Sequence, residues 1–344
     1  MEILWFCVVA FMIAAYVILD GFDLGAGAIQ FFVAKNAEQR RQVIQSIGPV
    51  WDGNEVWLLA AAGTLYFAFP KLYASSFSGF YLPLMMVLWL LILRGIAIEF
   101  RNHIDHIIWV PFWDVTFAAS SALLAIFFGA ALGNVVRGVP LDSSGRFFEP
   151  LWTSFRPVGE TGILDWYTVI VGLTALSALT LHGALWVAMK THDPISGRAR
   201  RVGTAMWWAT TVLTISTTVM TLVVQPRVLV NLRAYPWGVV FPGLGVLGIA
   251  AAWRYIAKSN DYRAFMASSA YLLGMMTSAA FGVYPYALPA SMGTQYGLTL
   301  FDASAAPYGL RVGFVWWLIG MALVGVYFVF VYRSFSGKVQ AEAE

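Results

Sequence analysis

WFCVVAFMIAAYVILDGFDLGAGAIQFFV, residues 5–33, is apolar for long enough to cross a bilayer, yet it carries Asp20 and Asp23. A membrane span needs about 20 predominantly apolar residues, whereas an ionisable side chain inside hydrocarbon costs about 2.5–3.5 kcal/mol on insertion scales. The length names the solvent, and the two acids mark where function is to be sought. In lipid only a helix satisfies its backbone donors and acceptors within one segment, so the run reads as a helix with the acids roughly 22–27 Å along it. Three residues apart, they share a face. Gly21 and Gly25 form a G-x-x-x-G pair, extended by Gly27 and Ala28, which suits close packing of another helix. Residues 1–5 lack Lys and Arg and the acids interrupt the run, so a retained span is expected rather than a cleaved leader.

Outward from this stretch the pattern repeats. Apolar runs at about 49–69, 78–101, 113–135, 163–189, 201–224, 235–257, 262–286 and 311–333 are each near spanning length. Pro70, Pro111, Pro226, Pro236, Pro285, Pro289 and Pro307 fall at or beside the proposed ends, where a missing N–H is least costly. With 60% hydrophobic and 11% charged residues, against roughly 25% charged in soluble domains, the chain reads as an all-α polytopic membrane protein of about nine helices. Its net charge of +3 is dispersed, with no basic stripe to track phosphates, so nucleic acid is not an expected partner. Cys7, the one cysteine in the sequence, excludes an internal disulfide and a CxxC redox pair.

Nine spans place 14 of the 21 basic residues on one side, among them Lys35, Arg40, Arg41, Arg101, Arg198, Arg200, Arg201 and Arg333. The positive-inside rule then puts the N-terminus outside and the C-terminus in the cytoplasm. The expected organisation is a four-helix bundle with a buried acidic cluster over 1–135, a polar link over 136–162 on the outer side, a second four-helix bundle over 163–286, and an outer loop, peripheral ninth helix and cytoplasmic tail over 287–344. The tail from Ser334 onward reads as disordered.

The charges inside hydrocarbon are not scattered. Asp52 and Glu55 open the second span, Arg94 and Glu99 close the third, and Asp114 opens the fourth, all at the cytoplasmic level that Asp20 and Asp23 reach. Six acids around one Arg cannot all be ionised in low dielectric. Carboxyls so placed, with Asn54 and Trp57 as donors, have the makings of a proton relay, in which Arg94 tunes and Asn54 and Trp57 orient. The plainer alternative pairs Arg94 with Asp52 or Glu99 to fix helix register. The second half holds little buried charge apart from His182, while His103, His106 and His192 fall in or near cytoplasmic links. Without a pair of intramembrane histidines, no haem ligand, metal site or catalytic residue is expected in this chain.

Particular strings carry a resemblance: Tyr16-Val-Ile-Leu-Asp20-Gly-Phe-Asp23-Leu-Gly25, Ile47-Gly-Pro-Val-Trp51-Asp52-Gly-Asn54-Glu55-Val-Trp57, Arg94-Gly95 with Glu99-Phe-Arg101, and Tyr284-Pro285-Tyr286-Ala-Leu-Pro289 followed by Leu298-Thr-Leu-Phe-Asp302-Ala-Ser304. Over essentially its whole length the chain resembles subunit II of bacterial cytochrome bd-type quinol oxidases. The resemblance implies a haem-free subunit beside a partner, subunit I, that holds haems b and d and oxidises quinol. It also implies a cytoplasmic proton path in which Asp52, Asp20 and Glu99 match family positions, Glu99 replacing the Asp of some members. A small single-span subunit and membrane lipid are further implied partners. Some relatives carry a long insertion between the sixth and seventh spans; the short link here, about 225–235, weighs against a quinone bound in this chain. From the residues alone, a proton-coupled secondary transporter and a purely structural scaffold are the competing readings. A transporter would place charges in both halves around a midplane cavity.

Overall fold

The structure, a computed structural model, describes residues 1–291 and 296–339. Among these residues it is almost entirely helical: α1 (Glu2–Val33), α2 (Ala37–Ile47), α3 (Trp51–Ala68), α4 (Pro70–Gly79), α5 (Tyr81–Phe100), α6 (Trp109–Arg137), α7 (Trp166–Lys190), α8 (Ile195–Val224), α9 (Arg227–Ala234), α10 (Val240–Ala257), α11 (Asp261–Val283), α12 (Leu300–Ala303) and α13 (Pro307–Ser334). A 3-10 turn, Pro236–Val239, leads into α10, and β1 (Tyr286–Leu288) pairs antiparallel with β2 (Leu298–Thr299).

Eight of these helices, counting the 3-10 turn with α10, are long and apolar enough to cross a membrane: α1, α5, α6, α7, α8, α10, α11 and α13. The ninth expected span is α3. Its 18 residues reach about 27 Å, but Asp52, Asn54 and Glu55 in its first turns make it the polar exception. The run expected over 78–101 is α5 alone, since the chain breaks at Phe80 and the residues before it form the separate helix α4. Apolar content runs through both, so hydropathy does not reveal the break.

Two short helices lie where links were expected. α2 is capped by Asn36, whose Oδ1 accepts from Gln39 N at 2.8 Å. It buries Val43, Ile44 and Ile47 and leaves Glu38 exposed. α9 is held by Asn231, whose side-chain amide donates to the carbonyls of Phe281, Gly282 and Tyr284.

The centre of the molecule is α1, which packs against α3, α6, α7 and α11. Its closest neighbour is α7. A Cβ on Gly25 would stand 2.0 Å from Leu179 O, and one on Gly183 would stand 2.4 Å from Ala26 N, so the two backbones touch where both residues lack a side chain. One turn toward the N-terminus of α1, Phe22 stacks on Trp186 with ring centroids 3.9 Å apart. By contrast α13 is peripheral: Leu310 is its one buried residue, while Phe314, Trp317 and Phe328 lean on the cluster formed by α1 and α3. The disorder expected of the tail does not hold for 335–339, which are tied to the end of α7; residues 340–344 lie outside the described residues.

Candidate functional site

Asp20 and Asp23 project from α1 into the space between α1, α3 and α5, and both are 0% exposed, as are Asn54 and Arg94. Arg94 reaches across from α5 and grips Asp20 with two bonds, Nη1 to Oδ2 at 2.9 Å and Nη2 to Oδ1 at 2.7 Å. The same Nη2 also donates to Glu55 Oε2 at 2.9 Å. A planar guanidinium matches a carboxylate in this two-point fashion, so Asp20 is the fixed member and Glu55, partly exposed, the looser one. Asp23 takes a different partner: Asn54 Nδ2 donates to its Oδ2 at 2.8 Å. In turn Asn54 Oδ1 accepts from the Tyr332 hydroxyl of α13 at 2.9 Å.

Several buried polar atoms around this cluster have no protein partner: Asp23 Oδ1, Arg94 Nε, Tyr16 Oη and Trp57 Nε1. Buried polar atoms in folded proteins are nearly always paired with protein or water. Tyr16 is four residues before Asp20 and therefore on its face. Neither Tyr16 nor Tyr332 was among the expected site residues. The first had a signal in its spacing from Asp20; the second had none, because nothing local tells which side of α13 meets α3.

The remaining candidates are placed as follows. Asp52 and Glu99 are exposed on the surface of the chain; Glu99 contributes its backbone carbonyl to His103 Nδ1 at 2.9 Å. The partners of Arg94 are thus Asp20 and Glu55, not the Asp52 or Glu99 of the register-fixing alternative. Asp114 is 0% exposed and saturated by two other cations, Arg40 Nε at 2.7 Å and Arg101 Nε at 2.6 Å. That arrangement clamps α2 and the end of α5 to α6 rather than joining Asp114 to Arg94. Trp57 is buried, but its indole N–H reaches none of the acids, so the orienting bond expected of it is not formed. His182 spends both ring nitrogens, on Ser268 Oγ at 2.7 Å and Ile18 O at 3.0 Å. Among the described residues no group of three or more His, Cys, Asp and Glu could hold a metal ion.

At the opposite end of the bundle is a charged network that the sequence did not reveal. Arg137 closes α6 and bonds Glu149 at 2.5 Å, Asn134 Oδ1 at 2.7 Å and Gly162 O at 3.0 Å, together with Asp165. Asp165 caps α7 in a capping box with Thr168, and Thr161 Oγ1 donates to Glu149 at 2.8 Å. The network pins the 138–165 link across two helix ends. Burial pushes the Glu149 carboxyl above its usual range, with Asp165 adding to the shift and Arg137 and Thr161 opposing it. A carboxyl with a raised pKa in the folded state binds its proton more tightly there, so its contribution to stability is full at low pH and falls as pH rises through the raised value. The link is therefore expected to resist trypsin at exposed Arg146 and Arg156 better at about pH 5 than at about pH 8, and Glu149→Gln should flatten that dependence. Equal pH dependence in the variant would assign the effect elsewhere.

With this geometry in place, comparison with known proteins gives a consistent result. The chain is 29% identical to the cytochrome bd ubiquinol oxidase subunit 2 of Bacillus subtilis, covering 90% of this chain and 88% of that protein. It is 26% identical to the cytochrome bd-I ubiquinol oxidase subunit 2 of Escherichia coli, covering 99% and 96%. Its fold matches a chain of the bd oxidase from Geobacillus thermodenitrificans with a TM-score of 0.75 over 97% of this chain and 98% of that one, at 17% identity. A sequence profile for cytochrome bd terminal oxidase subunit II matches residues 1–335, and the chain belongs to that family.

Proposed function

We propose that this chain is the haem-free subunit II of a quinol oxidase, supporting a haem-bearing subunit I and giving protons a route from the cytoplasm for reduction of oxygen to water. Family membership makes it part of an oxidoreductase complex and a multi-pass membrane protein. The observation that carries the proton route is the buried set itself: Arg94 bonds both Asp20 and Glu55, Asp23 lies beside them on the amide of Asn54, and unpaired polar atoms surround the three carboxyls. One positive charge cannot balance three carboxylates in low dielectric, so the cluster reaches neutrality by holding protons. Water is the partner the unpaired atoms require, and ordered water is what a proton route needs.

In this reading Asp52 and Glu99, exposed where α3 begins and α5 ends, collect protons at the cytoplasmic face, and Asp20, Asp23 and Glu55 form the inner relay. Arg94 holds Asp20 in place, and Asn54 orients Asp23. Asp114, clamped by Arg40 and Arg101, serves as an anchor beside the route. The excess of Lys and Arg on the side of Lys35, Arg101 and Arg333 sets that side in the cytoplasm. The engagement of both His182 ring nitrogens supports the assignment of all haem to subunit I, where it supplies the oxygen chemistry.

Asp52→Asn tests the route. In the purified complex it is expected to slow oxygen consumption by roughly tenfold, less than the ~10²–10⁴-fold that a lost general acid or base costs at a reacting atom because only proton delivery is impaired, while haem content stays at the parent level. Parent turnover in a fully assembled Asp52→Asn complex would remove Asp52 from the path.

A further inference from the structure

Past the end of α13 the chain turns back and lies across the C-terminal end of α7. Lys190 Nζ donates to Phe335 O at 2.6 Å and Gly337 O at 3.1 Å, Lys338 Nζ donates to Thr191 O at 2.7 Å, and Val339 N donates to Lys190 O at 2.8 Å. This strap covers a cavity of about 310 Å³ whose walls include Gln45, Ser46, Lys190 and Tyr332. With an amide, hydroxyls and an ammonium in its lining, the cavity has the polar partners that hold water. Its inner wall matters most. Tyr332 borders the cavity on one side and donates to Asn54 on the other, and Asn54 holds Asp23, whose Oδ1 is fully buried and unpaired.

We propose that the cavity under the strap is a second cytoplasmic mouth of the proton route, opening onto Asp23 through Tyr332; the inference rests on the proton-route reading above. Neither Asp52 nor Glu99, both exposed, lines this cavity, and among the described residues no hydrogen bond links either side chain to Tyr332. Protonated water in the cavity gives a proton to the Tyr332 hydroxyl oxygen as that hydroxyl releases its own proton inward. The acceptor is Asp23 Oδ1, whose carboxylate becomes a carboxylic acid. Asn54 keeps both its amide hydrogens and acts as the positioning residue, while water beside it takes the proton from Tyr332 and passes one on to Asp23.

Two mouths in parallel give a distinctive kinetic pattern. The complex, reconstituted in liposomes, is compared as parent, Tyr332→Phe, Asp52→Asn and the double variant, reading proton uptake, oxygen consumption and haem content. Tyr332→Phe alone is expected to slow uptake by only about a tenth, because the Asp52 mouth carries most of the flow, whereas adding it to Asp52→Asn should slow uptake by a further factor of roughly ten. A second measurement does not depend on the Tyr332 variant folding. Ser336→Cys in a Cys7→Ser, Asp52→Asn background is modified with a charged methanethiosulfonate to plug the cavity; the residual uptake should fall and recover on reduction. If the double variant matches Asp52→Asn and the plug changes nothing, the second mouth is overturned while the route through Asp52 stands. If Asp52→Asn and the double variant both keep parent rates, the proton-route reading fails and the mouth fails with it.

Discussion

Replacing Arg94 by Met is expected to destabilise the chain by about 3–5 kcal/mol, the cost of stranding a buried charge by removing its partner. Asp20 is completely buried and both its oxygens are held by Arg94; among the described residues no other cation is bonded to it, and Glu55 loses the same partner. Met fills much the same volume, so the effect isolates the charge. Arg94→Lys should recover only part of the loss, because an ammonium cannot make the two parallel bonds. Asp20→Asn added to Arg94→Met should recover more, by removing the stranded carboxylate. The measurement is the unfolding temperature of the detergent-solubilised complex, with haem content as a check on assembly. An Arg94→Met protein with parent thermal stability would mean that Asp20 is not ionised against Arg94, and the charge arrangement above would have to be redrawn.

Part of this charge arrangement is legible in the sequence and part is not. Asp20, Asp23, Asp52, Glu55 and Arg94 were legible as a group because each charge in an apolar run is costly and must be answered for. Who pairs with whom was not legible. Asp52 and Glu55 are three residues apart and nominally share a face, yet on α3 Glu55 turns to Arg94 while Asp52 is exposed. A step of three residues leaves about 60° between side chains, enough to separate a buried wall from an open one. Arg94 lies 74 residues from Asp20 and 39 from Glu55 in the chain, and only the packing of α5 beside α1 and α3 decides which carboxyl the guanidinium meets. The network of Arg137, Glu149 and Asp165 was invisible for a related reason. Its members come from a helix end, an irregular link and a helix cap, none of which carries a periodicity. Likewise α2 was hidden, since 11 residues with a mixed composition look like a polar link until Asn36 is seen capping it.

The small-residue face of α1 was legible as a packing surface but without its partner, and its partner makes the second strong prediction. Gly25→Val is expected to cost about 3 kcal/mol or more, at the upper end of overpacking penalties, and to prevent assembly with subunit I. A Cβ there meets Leu179 O at 2.0 Å and Gly183 Cα at 2.8 Å, so the obstacle is backbone that no rotamer change can clear. Gly183→Val should act alike from the other side, since its Cβ meets Ala26 N and Gly25 C, both at 2.4 Å. Gly63→Ala on α3 is the control: nothing lies within 4 Å of its added Cβ, and the change should be neutral or slightly stabilising through helix propensity. The comparison bears on function because α1 carries Asp20 and Asp23 fewer than two turns from Gly25, and a shift of α1 away from α7 moves both acids relative to Arg94 and Asn54. If Gly25→Val assembled with parent haem content and thermal stability while Gly63→Ala did the same, α1 and α7 would not be in backbone contact, and the positions assigned to the acids would lose their support.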